Sequence, residues 1–478
     1  MNDYVSAIIW MELLQSPREE KDFMAKINTT EVISNSKFNR FHLGLLAWCF
    51  IIILFDGYDL VVYGTVVPLL TEEWNLTSVE AGAMGSYGLF GMLFGAIFFG
   101  TLADRIGRKN VIAITLILFS LFTLLCGFAD TPTMFSTFRF LAGLGLGGIM
   151  PNVIALLTDY APKTMRSMVV SIVLCGYSFG GMLAPILGIL VMPTLGWESI
   201  FWFAGIPLLF LPFMMKRLPE ASTHLIRVNK KEELIRILSK VSPESEFDIK
   251  DELVEVKKTE ANMPIVGLFK DSRTLSTLMF WIAFFMCLLM VYGLNTWLPK
   301  LMIEAGYALN SSLGFLIVLQ GGAIVGTLII AKLCDRYGSK KMLVPMYALG
   351  AVSLTLLGMG GSSFVIYTLV AIAGACTIGA QNLVQAYVSQ YYPPNIRSTA
   401  LGVASGIGRI GGMLGPILGG FLLSISLPIQ LNFIAFAIPG LIAAVALSFV
   451  PVKMAYYKHD HSEPTEEMGV EANKMNVL

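Results

Sequence analysis

Charge is what this sequence has least of. Asp, Glu, Lys and Arg make up 14% of its 478 residues, against roughly a quarter in an average soluble domain. The 33 basic residues balance the 33 acidic ones, so there is no one-signed field of the kind nucleic acid attracts, and no nucleic-acid partner is expected. Histidine is scarce: His42, His224, His459 and His461 all lie outside the long apolar segments or at their edge. The six cysteines, Cys49, Cys126, Cys175, Cys287, Cys334 and Cys376, never fall at CxxC spacing, which argues against zinc, thiol redox chemistry and a disulfide framework. No metal and no cofactor is expected. The sequence also lacks a nucleophile–base constellation and an ATP-binding motif, which disfavours an enzyme and a primary pump. GLGLGG (143–148) formally matches GxGxxG but sits inside an apolar helix with no preceding strand, where glycines serve close packing. The amino terminus has no basic residue ahead of its short apolar run, and Glu12 interrupts that run, so it makes a poor secretory signal. The first span is then retained as the insertion signal. Residues 1–36 read as polar and irregular, and Met24 offers an alternative start.

What is present is apolar: 55% of residues are hydrophobic and the mean hydropathy is +0.70. At about 20 residues per span, helices are predicted near 44–70, 80–103, 110–129, 134–157, 167–191 and 198–215, then near 275–298, 311–334, 342–360, 364–388, 398–424 and 428–450. The expectation is an all-α membrane protein with twelve transmembrane helices in two six-helix repeats. Its predicted parts are a tail (1–40), a first bundle (41–215), a linker (216–273), a second bundle (274–452) and a second tail (453–478). The linker is mixed in charge and contains KKEELIRILSKV, which reads as one amphipathic surface helix.

Arg105, Arg108, Lys109, Lys163, Arg166, Arg336, Lys340, Lys341, Arg397 and the linker's basic residues all fall on one side of this topology, while the opposite loops offer Lys300. By the positive-inside rule both termini are expected to be cytoplasmic, with the protein in a cell inner membrane or a plasma membrane.

The halves repeat at a constant offset. Asp104, Arg105, Gly107 and Lys109 map onto Asp335, Arg336, Gly338 and Lys340, and GGMLAPILG (180–188) answers GGMLGPILG (411–419). Two six-helix units in the same orientation suit a carrier whose central site opens to alternate sides. GTLADRIGRKN (100–110), with its second copy CDRYGSKK (334–341), resembles the loop between the second and third helices of the major facilitator superfamily. Within that superfamily, DGYD (56–59) together with RFLAGLGLGGIMPN (139–152) resembles the aromatic acid:proton symporters, carriers of benzoate, 4-hydroxybenzoate and related acids. The likeness covers about residues 40–452. It departs at Ser339, which stands where the first copy has Arg108, and at Ala184, which replaces the glycine matched by Gly415.

Four charged residues inside spans break the repeat. Asp56, Asp59, Arg139 and Arg409 correspond to Cys287, Met290, Val370 and Ser178, so they are not part of the shared scaffold. Each aspartate costs about 2.5–3.5 kcal/mol at the centre of a membrane helix. At 1.5 Å per residue, Asp59 lies ~22 Å from the inner end of the first helix and Arg139 ~9 Å below the outer surface, matching depths in a core about 30 Å thick. An Asp59–Arg139 pair is expected. Asp56 and Asp59 are i,i+3 neighbours, and two close carboxylates with one cation between them are not both comfortably ionised, which makes a proton carrier. The alternative is a salt bridge that only ties the first and fourth helices together. The resemblance likewise implies proton coupling through Arg139.

Arg409 lies near the midplane among small residues, where a planar guanidinium suits a substrate carboxylate. An ion pair with Asp56 across the halves is the alternative, and substrate could displace the aspartate. Tyr63, Tyr292, Asn295, Gln320, Gln381, Asn382 and Gln385 are candidates to finish an aromatic-sized pocket, beside Tyr87, Tyr177 and Trp297. For each alone, packing or helix–helix hydrogen bonding is the simpler role, but the run AQNLVQAY concentrates three amides that are costly in hydrocarbon. Asp104, Arg105, Arg108, Lys109, Asp159, Arg166, Asp335 and Arg336 are expected to gate, forming ion pairs that hold the outward-open state.

The function expected from this reading is proton-coupled import of an aromatic carboxylate by a monomer in the lipid bilayer. The rivals are a carrier of another organic anion (hydroxycinnamate, nicotinate or dicarboxylate), a drug/proton antiporter, and a sensor that binds without transporting.

Overall fold

The computed structural model describes residues 26–244, 247, 252–254, 265–270, 272–452 and 455. Twelve helices in it are long and apolar enough to cross a membrane. They are α1 (Arg40–Glu73), α2 (Ser78–Ile106), α3 (Arg108–Cys126), α4 (Pro132–Tyr160), α5 (Arg166–Leu195) and α6 (Glu198–Arg217), followed by α7 (Thr274–Glu304), α8 (Leu309–Tyr337), α9 (Ser339–Leu357), α10 (Ser363–Tyr391), α11 (Pro394–Ser424) and α12 (Ile429–Phe449). Each predicted span falls on one of them. Most observed helices run beyond the hydropathy limits, but α3 and α9 end before theirs, at Cys126 and Leu357, and α12 lies within its own, because capping and the loops decide where a helix ends. Asn39 caps α1 by accepting from the backbone of Phe41 and His42, with His42 accepting in return from Asn39 N–H. Thr77 and Glu80 form the reciprocal capping box of α2.

Packing follows the repeat. Within the first half α1 lies on α5 and α2 on α4; within the second, α7 lies on α11 and α8 on α10. Across the halves α2 meets α11 and α5 meets α8, a pair of contacts that the repeat exchanges. The turn before α3 and its copy before α9 both rest on a glycine with φ of +91°, Gly107 and Gly338. A side chain there would sit in a backbone region that L-residues avoid.

Two details depart from the prediction. Helix α10 is interrupted by a stretch of π-helix at Ala375–Gly379, immediately before the amides of AQNLVQAY; such widened turns recur at functional sites, and hydropathy carries no signal for them. The stretch before α1, read as irregular up to residue 36, holds a helix at Thr29–Asn35 capped by Asn28. A strand β1 (Lys26–Asn28) precedes it and pairs in parallel with β2 (Glu252–Val254), so among the described residues the fold is all-α except for this short ladder.

The linker contains the expected amphipathic helix, Lys231–Val241, preceded by a shorter helix at Ser222–Arg227. It is not a free tether. Leu225, Leu234, Leu238 and Val241 join Ile33, Leu45 and Tyr160 in one buried cluster. Asn39 Nδ2 donates to the carbonyls of Lys240 and Val241 at 2.9 and 3.0 Å. The linker's first part is thereby docked on the first half. Residues 1–25 of the expected first tail, several linker residues, and 453–478 except residue 455 lie outside the described residues.

Candidate transport site

The pair expected from depth alone is formed. Arg139 Nη1 donates to Asp59 Oδ1 at 2.9 Å and to Oδ2 at 3.0 Å, and both residues are buried. A third partner was not anticipated: Thr123 on α3 donates to Asp59 Oδ1 at 2.5 Å. Asp56 is also buried. It shares a small cavity with Asp59, Arg139 and Tyr177 and lies within electrostatic reach of Asp59 and Arg409.

Arg409 reaches across the halves. Its Nη1 donates to Met92 O on α2 at 2.8 Å, and the side chain is half-buried. No ion pair within 4 Å joins it to Asp56 among the described residues, so the guanidinium is held near that carboxylate by a backbone carbonyl. Beside it the phenols of Tyr177 on α5 and Tyr292 on α7 meet, again across the halves. Asp56, Tyr177, Tyr292 and Arg409 therefore form one cluster built from both halves.

The other pocket candidates divide. Asn295 Oδ1 accepts from Gln320 Nε2 at 3.0 Å while Asn295 Nδ2 donates to Val291 O at 2.8 Å; Gln320 Oε1 is buried without a partner. Gln381, Asn382 and Gln385 are partly exposed on α10, with Asn382 Nδ2 3.5 Å from Thr327 Oγ1. Tyr63 is placed otherwise. Its hydroxyl donates to Ala81 O on α2 and its ring packs on Phe135, so it braces α1 against α2 rather than offering a free phenol.

Contacts between the halves run from the middle of the helices to the end opposite the linker. A side chain at Gly64 would strike the carbonyl of Asn295, so α1 and α7 touch backbone to backbone there. Ser86 Oγ donates to Met413 O at 2.7 Å, and Gly82 abuts Pro416. At the linker end the situation reverses: nothing lies within 4 Å of where a side chain would begin at Gly402 and Gly406 of α11. The site is closed on the far side and open on the linker side.

The expected gate residues make local bonds in this conformation. Arg108 Nη1 donates to Ala155 O at 3.1 Å, Asp159 Oδ2 accepts from Ser222 N–H and Oγ, and Arg166 Nη2 lies 3.5 Å from Ala161 O. Asp104 and Arg105 are exposed, and Arg336 lies over the Tyr337 ring. The Asp335 side chain lies outside the described residues. No ion pair joins any two of these residues among those described, as suits the state in which their end is open. Glu220, from the linker, is the organiser that sequence reading missed: its Oε1 accepts from the backbone of Lys109 at 3.2 Å and of Ala221 at 2.9 Å. It clasps the turn at Gly107.

With this geometry in place the likenesses to known proteins become informative. The sequence profile of the Major Facilitator Superfamily matches residues 49–329 and 310–472. The chain belongs to the major facilitator superfamily. It is 46% identical to the benzoate transport protein of Acinetobacter baylyi, over 90% of this chain and 94% of that one. It is 32% identical to the 4-hydroxybenzoate transporter PcaK of Pseudomonas aeruginosa, over 84% and 90%. The inward open conformation of the xylose transporter XylE from E. coli superposes with a TM-score of 0.68 at 17% identity, covering 86% of this chain and 96% of that one, a likeness of fold. This member of the superfamily is thus a multi-pass secondary transporter and not an enzyme.

Proposed function

We propose that the protein imports an aromatic carboxylate, benzoate or a hydroxybenzoate, together with a proton. The observation that carries this reading is the buried group at the meeting of the halves: two carboxylates, one of them paired to Arg139, facing a half-buried Arg409 that has donors to spare. A guanidinium beside two phenols suits a planar carboxylate with an aromatic ring attached. The relatives named for benzoate and 4-hydroxybenzoate support that substrate class. In this scheme Asp56 and Asp59 carry the proton with Arg139, Arg409 holds the carboxylate, and Tyr292, Asn295, Gln320, Gln381, Asn382 and Gln385 line the path. The loop residues Asp104, Arg105, Arg108, Lys109, Asp159, Arg166, Asp335 and Arg336 gate the linker end.

The units that move are residues 41–215 and 274–452, joined by 216–273. Lys and Arg concentrated at the linker end support an orientation with both termini cytoplasmic in an inner or plasma membrane, and the open face is then the cytoplasmic one. The protein works as a monomer, without nucleic acid. Import of a monoanion with one proton is electroneutral and is driven by the pH gradient alone; a second proton adds the membrane potential, about 2.3 kcal/mol per charge per 100 mV.

The test is uptake into proteoliposomes of labelled benzoate, 4-hydroxybenzoate, protocatechuate and 3-phenylpropionate under an imposed pH gradient. Accumulation of at least one, abolished by a protonophore, is the expected result. Failure of all four, with efficient uptake of a non-aromatic anion, overturns the substrate class.

A further inference from the structure

Helix α3 is peripheral by sequence and carries no charge inside its span, yet it turns a polar face toward the proton pair. Thr123 is fully buried and donates to Asp59 Oδ1. One turn earlier, Ser120 is fully buried with its hydroxyl unpartnered. Thr115 on the same helix shows what a buried threonine ordinarily does there, donating to the carbonyl of Val111 at 2.8 Å. Thr123 has given up that local bond for the carboxylate. At the offset that relates the halves, Thr123 and Ser120 correspond to Leu354 and Ala351, so these hydroxyls, like the charges, are absent from the other copy.

We propose that Thr123 is a positioning residue of the proton step: its hydroxyl holds Asp59 in the ionised, Arg139-paired form in this conformation and so drives proton release toward the open end. The inference rests on the proton-coupled reading above. With Asp59 ionised, Oδ1 accepts from both Arg139 and Thr123, whereas Oδ2 accepts from Arg139 alone. A proton arriving at the carboxyl therefore goes to Oδ2. The Thr123 hydroxyl can then turn back to its own helix, where a threonine can donate to the carbonyl four residues earlier, as Thr115 does to Val111. A hydrogen bond to the charged form favours that form.

Other ionisable groups face this carboxyl. They are Asp56 and Tyr58 on α1, Cys126 beside Thr123 on α3, and Arg139 on α4. Helix α5 brings Tyr177, α7 Tyr292 and α11 Arg409 to Asp56; α2 presents Gly88, Leu89 and Met92, none of which titrates. Thr123 donates directly to Asp59 and does not itself titrate, so its replacement changes the hydrogen bonding of Asp59 without changing charge.

Two measurements test this. In proteoliposomes, net benzoate uptake is followed at fixed outer pH while lumen pH is varied. In detergent, the carboxyl stretch of Asp59, assigned by its loss in Asp59→Asn, is titrated by infrared spectroscopy with no substrate present. In Thr123→Val both midpoints should move to higher pH by about one unit, a tenfold change in proton affinity, because the protonated form no longer competes with a donor to the anion. Thr123→Ser should restore the wild-type midpoints, and Thr123→Ala substitutes if the valine variant does not fold. Unchanged midpoints in a folded Val or Ala variant, or a serine variant displaced as far as valine, overturn the proposal. Wild-type protein that accumulates none of the four aromatic acids under a pH gradient overturns the functional reading instead, while the infrared titration still decides the role of Thr123.

Discussion

The two halves share one packing plan and differ in what fills it. Where the first half buries Asp56, Asp59 and Arg139, the second buries Cys287, Met290 and Val370 at the equivalent positions. Where the first half has Thr123 on α3, the second has buried Leu354 on α9. The second half thus displays what the scaffold needs at those depths, which is apolar volume. The polar residues of the first half are additions to that shared packing plan, and an addition costly in hydrocarbon marks function. Arg409 is the second half's counterpart addition, facing Asp56 from the other side where the first half has Ser178.

The sharpest way to break this comparison is to remove the titrating group while keeping its shape. Asp59→Asn should reduce pH-driven accumulation against a gradient by a hundredfold or more, since an amide neither takes up nor releases a proton; exchange of labelled for unlabelled substrate should fall less. Asp56→Asn should impair the same step less completely. Paired uptake and exchange in the same vesicles check this, and wild-type accumulation in both variants would make the carboxylates structural.

Arg409 tests the second half. Arg409→Ala should weaken benzoate binding by roughly 2–3 kcal/mol, in the range of a charge-assisted hydrogen bond lost, or about a hundredfold in affinity. Arg409→Lys should lose less because it keeps the charge without the planar fork. Calorimetric titration in detergent reads both, and near-normal affinity in the alanine variant would remove Arg409 from the binding site.

Stability should respond in the opposite sense to charge count. Arg139→Leu leaves Asp59 buried without its cation, a defect that costs about 3–5 kcal/mol in soluble proteins. The double change Asp59→Leu with Arg139→Leu mimics Met290 and Val370 and should recover most of that loss while remaining unable to couple. Thermal unfolding in detergent distinguishes the cases: a double variant as unstable as the single would show that the first half, unlike the second, needs its ion pair to fold.

Much of this was legible in the sequence because membrane physics writes plainly. Long apolar runs fixed twelve helices, and depth counted at 1.5 Å per residue paired Asp59 with Arg139 on different helices. What was missed is polar but uncharged or lies in loops. Thr123 and Ser120 cost little in a membrane helix, so hydropathy passes over them, although the same repeat-breaking comparison that singled out the charges also exposes them. Glu220 read as one of many linker charges, and only the folded chain brings it to the turn at Gly107. Tyr63 was drawn to the pocket by its type, whereas its hydroxyl is committed to Ala81 O. The state of the gate was beyond reach too: the expected ion pairs are not formed among the described residues, and a sequence does not say which conformation its structure will show.

The smallest expected effect separates the two copies of the loop. In the first half the turn at Gly107 is clasped by Glu220 through the Lys109 backbone, and Asp104 stands exposed beside it. In the second, Lys340, the equivalent of Lys109, donates its ammonium to the carbonyls of Ser448 and Val450 at 2.6 and 2.7 Å. The first loop is thus held by the linker and the second by the end of α12. If Asp104 acts only when the linker end closes, Asp104→Asn should slow turnover several-fold, because the closed state loses an ion pair, and leave benzoate affinity in detergent within about twofold of wild type. Affinity is measured in the open state, where Asp104 is exposed and forms no ion pair among the described residues. A tenfold loss of affinity, about 1.4 kcal/mol, would instead couple Asp104 to the binding equilibrium and mean that substrate is held in a state with the linker end at least partly closed.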